Sequence, residues 1–252
     1  MELGNSKTPR TRNSINTMSS NSNIFIRYKF VFSNDKTIEY EIKLDSETCE
    51  LIPSEKPDIP FWCKLDYLKC DDCTINTEGY DYCPPAVNSI DLIDLFRDTF
   101  SYDVIDVIVE TSERIYFKNK ISVQQALGSL FGIIMVTSGC KDLDKLRPMV
   151  RFHLPFATIT ESVYRATSMY QLAQYIRTQN GLEPDYEMQD LLNTYKKIHK
   201  INVNFVKRLQ KASEKDANLN AVVILDTFSQ MVPFGIGDTL KDFEKLFSPY
   251  LK

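Results

Sequence analysis

Two stretches of alternating apolar and polar residues, each closed by a tight turn and each followed by a helical pattern, set the limits on how this chain can fold. The first runs "IFIRYKFVF", "SNDK", "TIEYEIKL", and the second "DVIDVIVE", "TSE", "RIYFKNK". Period-two alternation of β-branched and aromatic residues around a short polar turn predicts a β-hairpin. Behind the first hairpin, "AVNSIDLIDLFRDTF" places apolar residues at helical spacing after a proline start. Behind the second, "SVQQALGSLFGIIMVTSG" predicts a buried helix with Ser122 as its cap, Gln125 as the capping-box partner and Gly139 as its stop. The order is hairpin, helix, hairpin, helix, a twofold ββα repeat.

Beyond Cys140 the strand signals stop. "TITESVYRATSMYQLAQYIRTQNG" predicts a long amphipathic helix opening at Thr158 or Thr160 and closing at Gly181. "EPDYEMQDLLNTYKKIHKINVNFVKRLQKASEK" predicts another, with Pro184 in its first turn and an apolar stripe at Leu191, Tyr195, Ile198, Phe205, Leu209 and Ala212. "ANLNAVVILDTFSQMV" and "DTLKDFEKLFSPYL" complete a helical second half. The predicted class is therefore α+β: an N-terminal ββαββα antiparallel or mixed sheet with helices on one face, followed by an all-α region. Residues 1–23, rich in Ser, Asn and Thr, are expected to be a disordered tail. Residues 24–140 form the α+β region with a cysteine-rich loop over 46–85, and residues 141–252 a helical region packed on it.

Charge and hydropathy exclude some functions. A net charge of -4 over 252 residues argues against wholesale nucleic-acid binding. The longest uninterrupted apolar run, "LGSLFGIIMV" from Leu127 to Val136, is about half of what a bilayer helix needs, so no membrane span is expected. The N-terminus has no charged-then-apolar signal, which points to a cytoplasmic protein with reduced thiols.

Against that background, "KCDDCTINTEGYDYC" concentrates Cys70, Cys73 and Cys83 in one short segment. If the first strand runs up, the cysteine-bearing loop hangs from the lower edge of the sheet. The helix behind Cys83 then starts at that edge, and the helix before Cys140 ends there. Cys70, Cys73, Cys83 and Cys140 are thus expected to converge as a four-thiolate metal site holding zinc or an iron-sulfur cluster. Two other readings stay open: a redox dithiol at Cys70 and Cys73, and inert cysteines. Cys63 lies in the same loop and could replace one ligand, while Cys49 reads as a half-buried strand-end residue. The loop is polar and contains Gly79, so by sequence it would be hard to order without a clip, a part the metal could play.

Other residues carry weaker signals. His153 and His199 are the only histidines, too few for a His-rich catalytic metal site, and His153 reads as a hydrogen-bonded structural imidazole. Glu161 and Asp226 fall in helical patterns as surface or pairing residues. No nucleophile elbow, phosphate loop or dinucleotide glycine pattern occurs. "GSLFG" permits close helix packing in a core. Lys196, Lys197, Lys200, Lys207, Arg208, Lys211 and Lys215 read as a solvated basic face that could also dock an acidic partner or nucleic acid.

The segments "CDDC", "YCPPAVNSIDLIDLFRD", "SYDVIDVIVETSERIY", "TSGC" and "RPMVRFHLPFATITESVYRATSMYQLAQYIR" together resemble a family of uncharacterised bacterial proteins classed only as a domain of unknown function. The resemblance covers most of the chain after residue 24. It implies cysteines at the positions of Cys70, Cys73, Cys83 and Cys140; Lys141 stands where the family implies proline. It lends no activity, substrate or partner. The expected role is a binding, sensing or scaffold protein with a four-cysteine site and an unidentified protein partner, its oligomeric state undetermined. A redox enzyme or thiol- or cluster-based redox sensor using the same cysteines is the alternative.

Overall fold

The computed structural model describes residues 23–251 apart from 55–57, 76–78 and 80. The predicted tail over 1–23 lies, except for its last residue, outside the described residues.

Strands β1 (Ile24–Phe32) and β2 (Thr37–Leu44) form the first hairpin, and β3 (Val104–Thr111) and β4 (Ile115–Ser122) the second. The sheet order is β2-β1-β3-β4 with every neighbouring pair antiparallel. Alternation decides which face is buried. Ile26, Tyr28 and Phe30 of β1 enter the core, whereas Arg27 pairs with Glu41 and Glu110, and Lys29 with Glu39, on the outer face.

Between the hairpins, α1 (Pro84–Asn88) and α2 (Ile90–Leu95) replace the single predicted helix, broken at Ser89. Ser89 is fully buried and donates its hydroxyl to the Pro85 carbonyl at 2.7 Å, a local bond that competes with regular helix geometry. Helix α3 (Val123–Thr137) has the predicted capping box at Ser122 and Gln125, and Gly139 follows at φ 88°.

After the short α4 (Pro148–Arg151), α5 (Ile159–Gln179) begins behind Thr158, which with Glu161 forms a second capping box. Helix α6 (Gln189–Leu209) begins five residues later than Pro184. Met188 takes φ 59°, which stops a right-handed helix from propagating backwards, and Asp185 accepts hydrogen bonds from the Asp190 amide and the Tyr170 hydroxyl instead. The two helices expected at the C-terminal end are largely one, α7 (Ala217–Glu244), with Pro233 inside it.

One buried apolar cluster runs from Ile26 in β1 to Ile236 in α7. Helix α7 packs against α3, α5 and α6. Close approach to α3 depends on glycine, since a Cβ on Gly128 would lie 3.2 Å from the Ala221 carbonyl oxygen. The stretch Ala217–Ile236 is long and apolar enough to cross a membrane by length and composition, although polar residues interrupt it. Here it packs in the helical half and buries Asp226 under several donors.

Candidate functional site

Helices α3, α6 and α7, with the segment from Leu143 to Arg165, surround a cavity of about 220 Å³. Its walls are apolar: Ile133 and Met135 of α3, Met149, Leu154 and Phe156 of the connecting segment, Ile198 of α6, and Leu225 and Phe228 of α7. Gly132 and Ala157 leave room that larger side chains would fill. Phe156 holds φ 59°, a left-handed conformation that is strained for an aromatic residue.

Polar groups enter this wall at two places. At one, Tyr28 from the sheet reaches the cavity-lining residues, its Oη 2.7 Å from His153 Nε2 and 2.9 Å from Ser129 Oγ. Burial, helped by the neighbouring Arg165 charge, pushes His153 down to about 3, so the imidazole is neutral at physiological pH. Arg165 on α5 donates through Nη2 to the carbonyls of Met149 and Phe152, both at 2.9 Å. Its Nε and Nη1 donate to no described residue, and none of the described acidic side chains forms an ion pair with it.

The second polar place lies further along α6. Asp226 accepts from His199 Nδ1 at 2.9 Å, Asn202 Nδ2 at 3.3 Å, Ser229 Oγ at 3.0 Å and Gln230 Nε2 at 2.8 Å. A carboxylate only accepts, so Asn202 must turn its NH2 toward Asp226 and its oxygen away. That oxygen, Asn202 Oδ1, is buried without a hydrogen-bond partner and belongs to a residue lining the cavity.

The cysteines occupy a different corner. Cys70, Cys73, Cys83 and Cys140 all line one small cavity of about 30 Å³, beside Asp142, Asn204 and Arg208. The expected metal role is overturned: among the described residues no group of three or more His, Cys, Asp or Glu is arranged to hold a metal ion. All six cysteines are free thiols, with no close pair set for dithiol chemistry, so the redox reading of the same residues falls too. Metal ligation and nucleophilic attack both need thiolate, and this corner favours thiol. Burial raises Cys70 and Cys83 and pushes Cys63 and Cys140 up to about 12. For Cys83, desolvation outweighs the pull of Arg208.

What clips the loop is an arginine. Arg208 Nη1 donates to the carbonyls of Trp62 at 2.6 Å and Lys64 at 2.8 Å, with Nη2 3.4 Å from the Leu65 carbonyl. Backbone bonds from Leu65 N to Asp81 O and from Cys83 N to Cys63 O, at 2.9 and 2.8 Å, tie the loop's two ends together. Lys200 pairs with Asp72, and Asp142 accepts from the Thr74 hydroxyl at 3.0 Å. Arg208 is thus no part of a solvated basic face: helical periodicity alone gives no sign of the loop carbonyls lying opposite it.

Fold and site together define an α+β domain whose helical half is built around an apolar cavity with two polar entries. The chain belongs to the family described as "Domain of unknown function (DUF6901)", which matches residues 26–248. No curated protein and no solved structure matches it.

Proposed function

We propose that this protein is a cytoplasmic binding module for a small, largely apolar molecule held in the cavity among α3, α6, α7 and the segment from Leu143 to Arg165. The observation that carries this reading is an apolar cavity of about 220 Å³ beside a buried amide oxygen, Asn202 Oδ1, that has no hydrogen-bond partner within the protein. Native interiors are close-packed, and a buried polar atom is ordinarily satisfied. An apolar hollow next to the orphaned Asn202 oxygen breaks both rules in one place. The strained Phe156 in the cavity wall supports the same reading, since such strain gathers at ligand clamps. Six free cysteines fit a reducing compartment.

The size of the ligand follows from the volume. At roughly 30 Å³ per water-sized group, the cavity takes about seven non-hydrogen atoms. This is smaller than a typical drug-sized pocket. The test is thermal unfolding with and without octanol. A ligand at a hundred times its dissociation constant stabilises by about 2.7 kcal/mol, which should raise the melting temperature by roughly 5–10 °C. Val136→Phe, which projects a ring from the cavity wall, should abolish that rise. No rise in the wild type, or an equal rise in the variant, would sink the reading.

A further inference from the structure

Resting on that reading, we propose that the ligand is a medium-length monocarboxylate whose head is clamped by Arg165 and whose far end carries a hydrogen-bond donor for Asn202. The cavity is electrically lopsided. Arg165 is its one cation among the described lining residues, because the enclosed His153 is neutral. Arg165 is half-buried, and a guanidinium partly withdrawn from water is ordinarily matched by a carboxylate. Here the nearest acid acting on it, Glu161, already accepts at 2.7 and 2.9 Å from the amide and hydroxyl of Thr158. The two carbonyls bonded by Nη2 occupy both of its N–H groups. Nε and Nη1 remain, on opposite sides of the guanidinium, each able to give one charge-assisted hydrogen bond to a carboxylate oxygen.

The other end repels anions and asks for a donor. Asp226 stands behind Asn202, and the orphaned Asn202 Oδ1 can only accept. The distance between the ends can be read along α6. Tyr195, which lies close to Arg165, and Asn202 both line the cavity, and seven residues of helix span about 10 Å. A chain of about seven or eight carbons bridges that distance.

The experiment compares octanol, octanoate and 8-hydroxyoctanoate by calorimetric titration at pH 7, on the wild type and on Arg165→Gln. We expect octanoate to bind the wild type at least tenfold tighter than octanol, and 8-hydroxyoctanoate tighter still. Arg165→Gln should bind octanol as the wild type does and lose the preference for octanoate. Equal binding of octanol and octanoate to the wild type would overturn the carboxylate clamp while leaving the apolar cavity standing. Weaker binding of 8-hydroxyoctanoate than octanoate would overturn the role given to Asn202. Binding of none of the three would defeat the cavity reading itself. If Arg165→Gln loses octanol as well, Arg165→Lys decides: it keeps the charge and should still favour octanoate, and no preference there would overturn the clamp.

Discussion

Arg208 and Trp62 are 146 residues apart in sequence, yet the guanidinium of one donates to the carbonyl of the other at 2.6 Å in the buried seam between α6 and the cysteine-rich loop. Removing the arginine would orphan that carbonyl and that of Leu65, and leave the Lys64 carbonyl with only the Tyr67 amide. We predict that Arg208→Met destabilises the fold by about 3 kcal/mol, the scale of two charge-assisted bonds lost to buried acceptors. Limited proteolysis should show cleavage between Phe61 and Pro84 before any other described segment opens.

The same bond explains why no metal is called for to hold the loop. Incubation with a strong chelator under reducing conditions should leave both the melting temperature and the proteolytic pattern of the loop unchanged. A drop of several degrees on chelation would restore metal to the account.

Acid should unfold the protein partly through His153. Its folded value, about 3, lies below the ordinary 6.5, so the unfolded chain binds the extra proton throughout that interval. Stability from this group is therefore complete above about pH 6.5 and declines as pH falls toward 3. At pH 5 the loss relative to pH 7 should be about 1–2 kcal/mol, allowing for the part of the residue that stays accessible. Denaturant titrations at the two pH values check this, and His153→Gln, which cannot titrate, should flatten the difference.

Two glycines four residues apart on α3 should respond in opposite ways. At Gly128 a side chain would press on the Ala221 backbone and on Ile224, so Gly128→Val should destabilise by about 1–3 kcal/mol. At Gly132 a methyl would meet Leu225 at an ordinary 3.5 Å, so Gly132→Ala should stabilise by somewhat under 1 kcal/mol through helix propensity. Chemical denaturation of the two variants gives both signs.

Short-range chemistry was the legible part of this chain. Alternation in "IFIRYKFVF" and "TIEYEIKL" and the capping pairs Ser122 with Gln125 and Thr158 with Glu161 are local signals, and they place β1, β2 and the starts of α3 and α5. The start of α6 was misplaced because the left-handed Met188 has no sequence mark, whereas Pro184 resembles a first-turn proline. Topological reasoning placed the four cysteines along one edge, and they do share a small cavity, but spacing cannot tell thiols that line a wall from thiols that close on an ion. Arg208 was hidden because its partners are backbone carbonyls, which every sequence has. The large cavity was hidden because it comes from what Gly132 and Ala157 leave unfilled between elements distant in sequence.

The most direct test of the cavity as a ligand site is a methyl spectrum of protein labelled at its methionines, recorded as octanoate is added. Met135 and Met149 line the cavity, while Met231 is exposed on α7. The account predicts saturable shifts of the Met135 and Met149 methyl signals with Met231 unmoved. Unchanged signals at Met135 and Met149, or shifts confined to Met231, would contradict it.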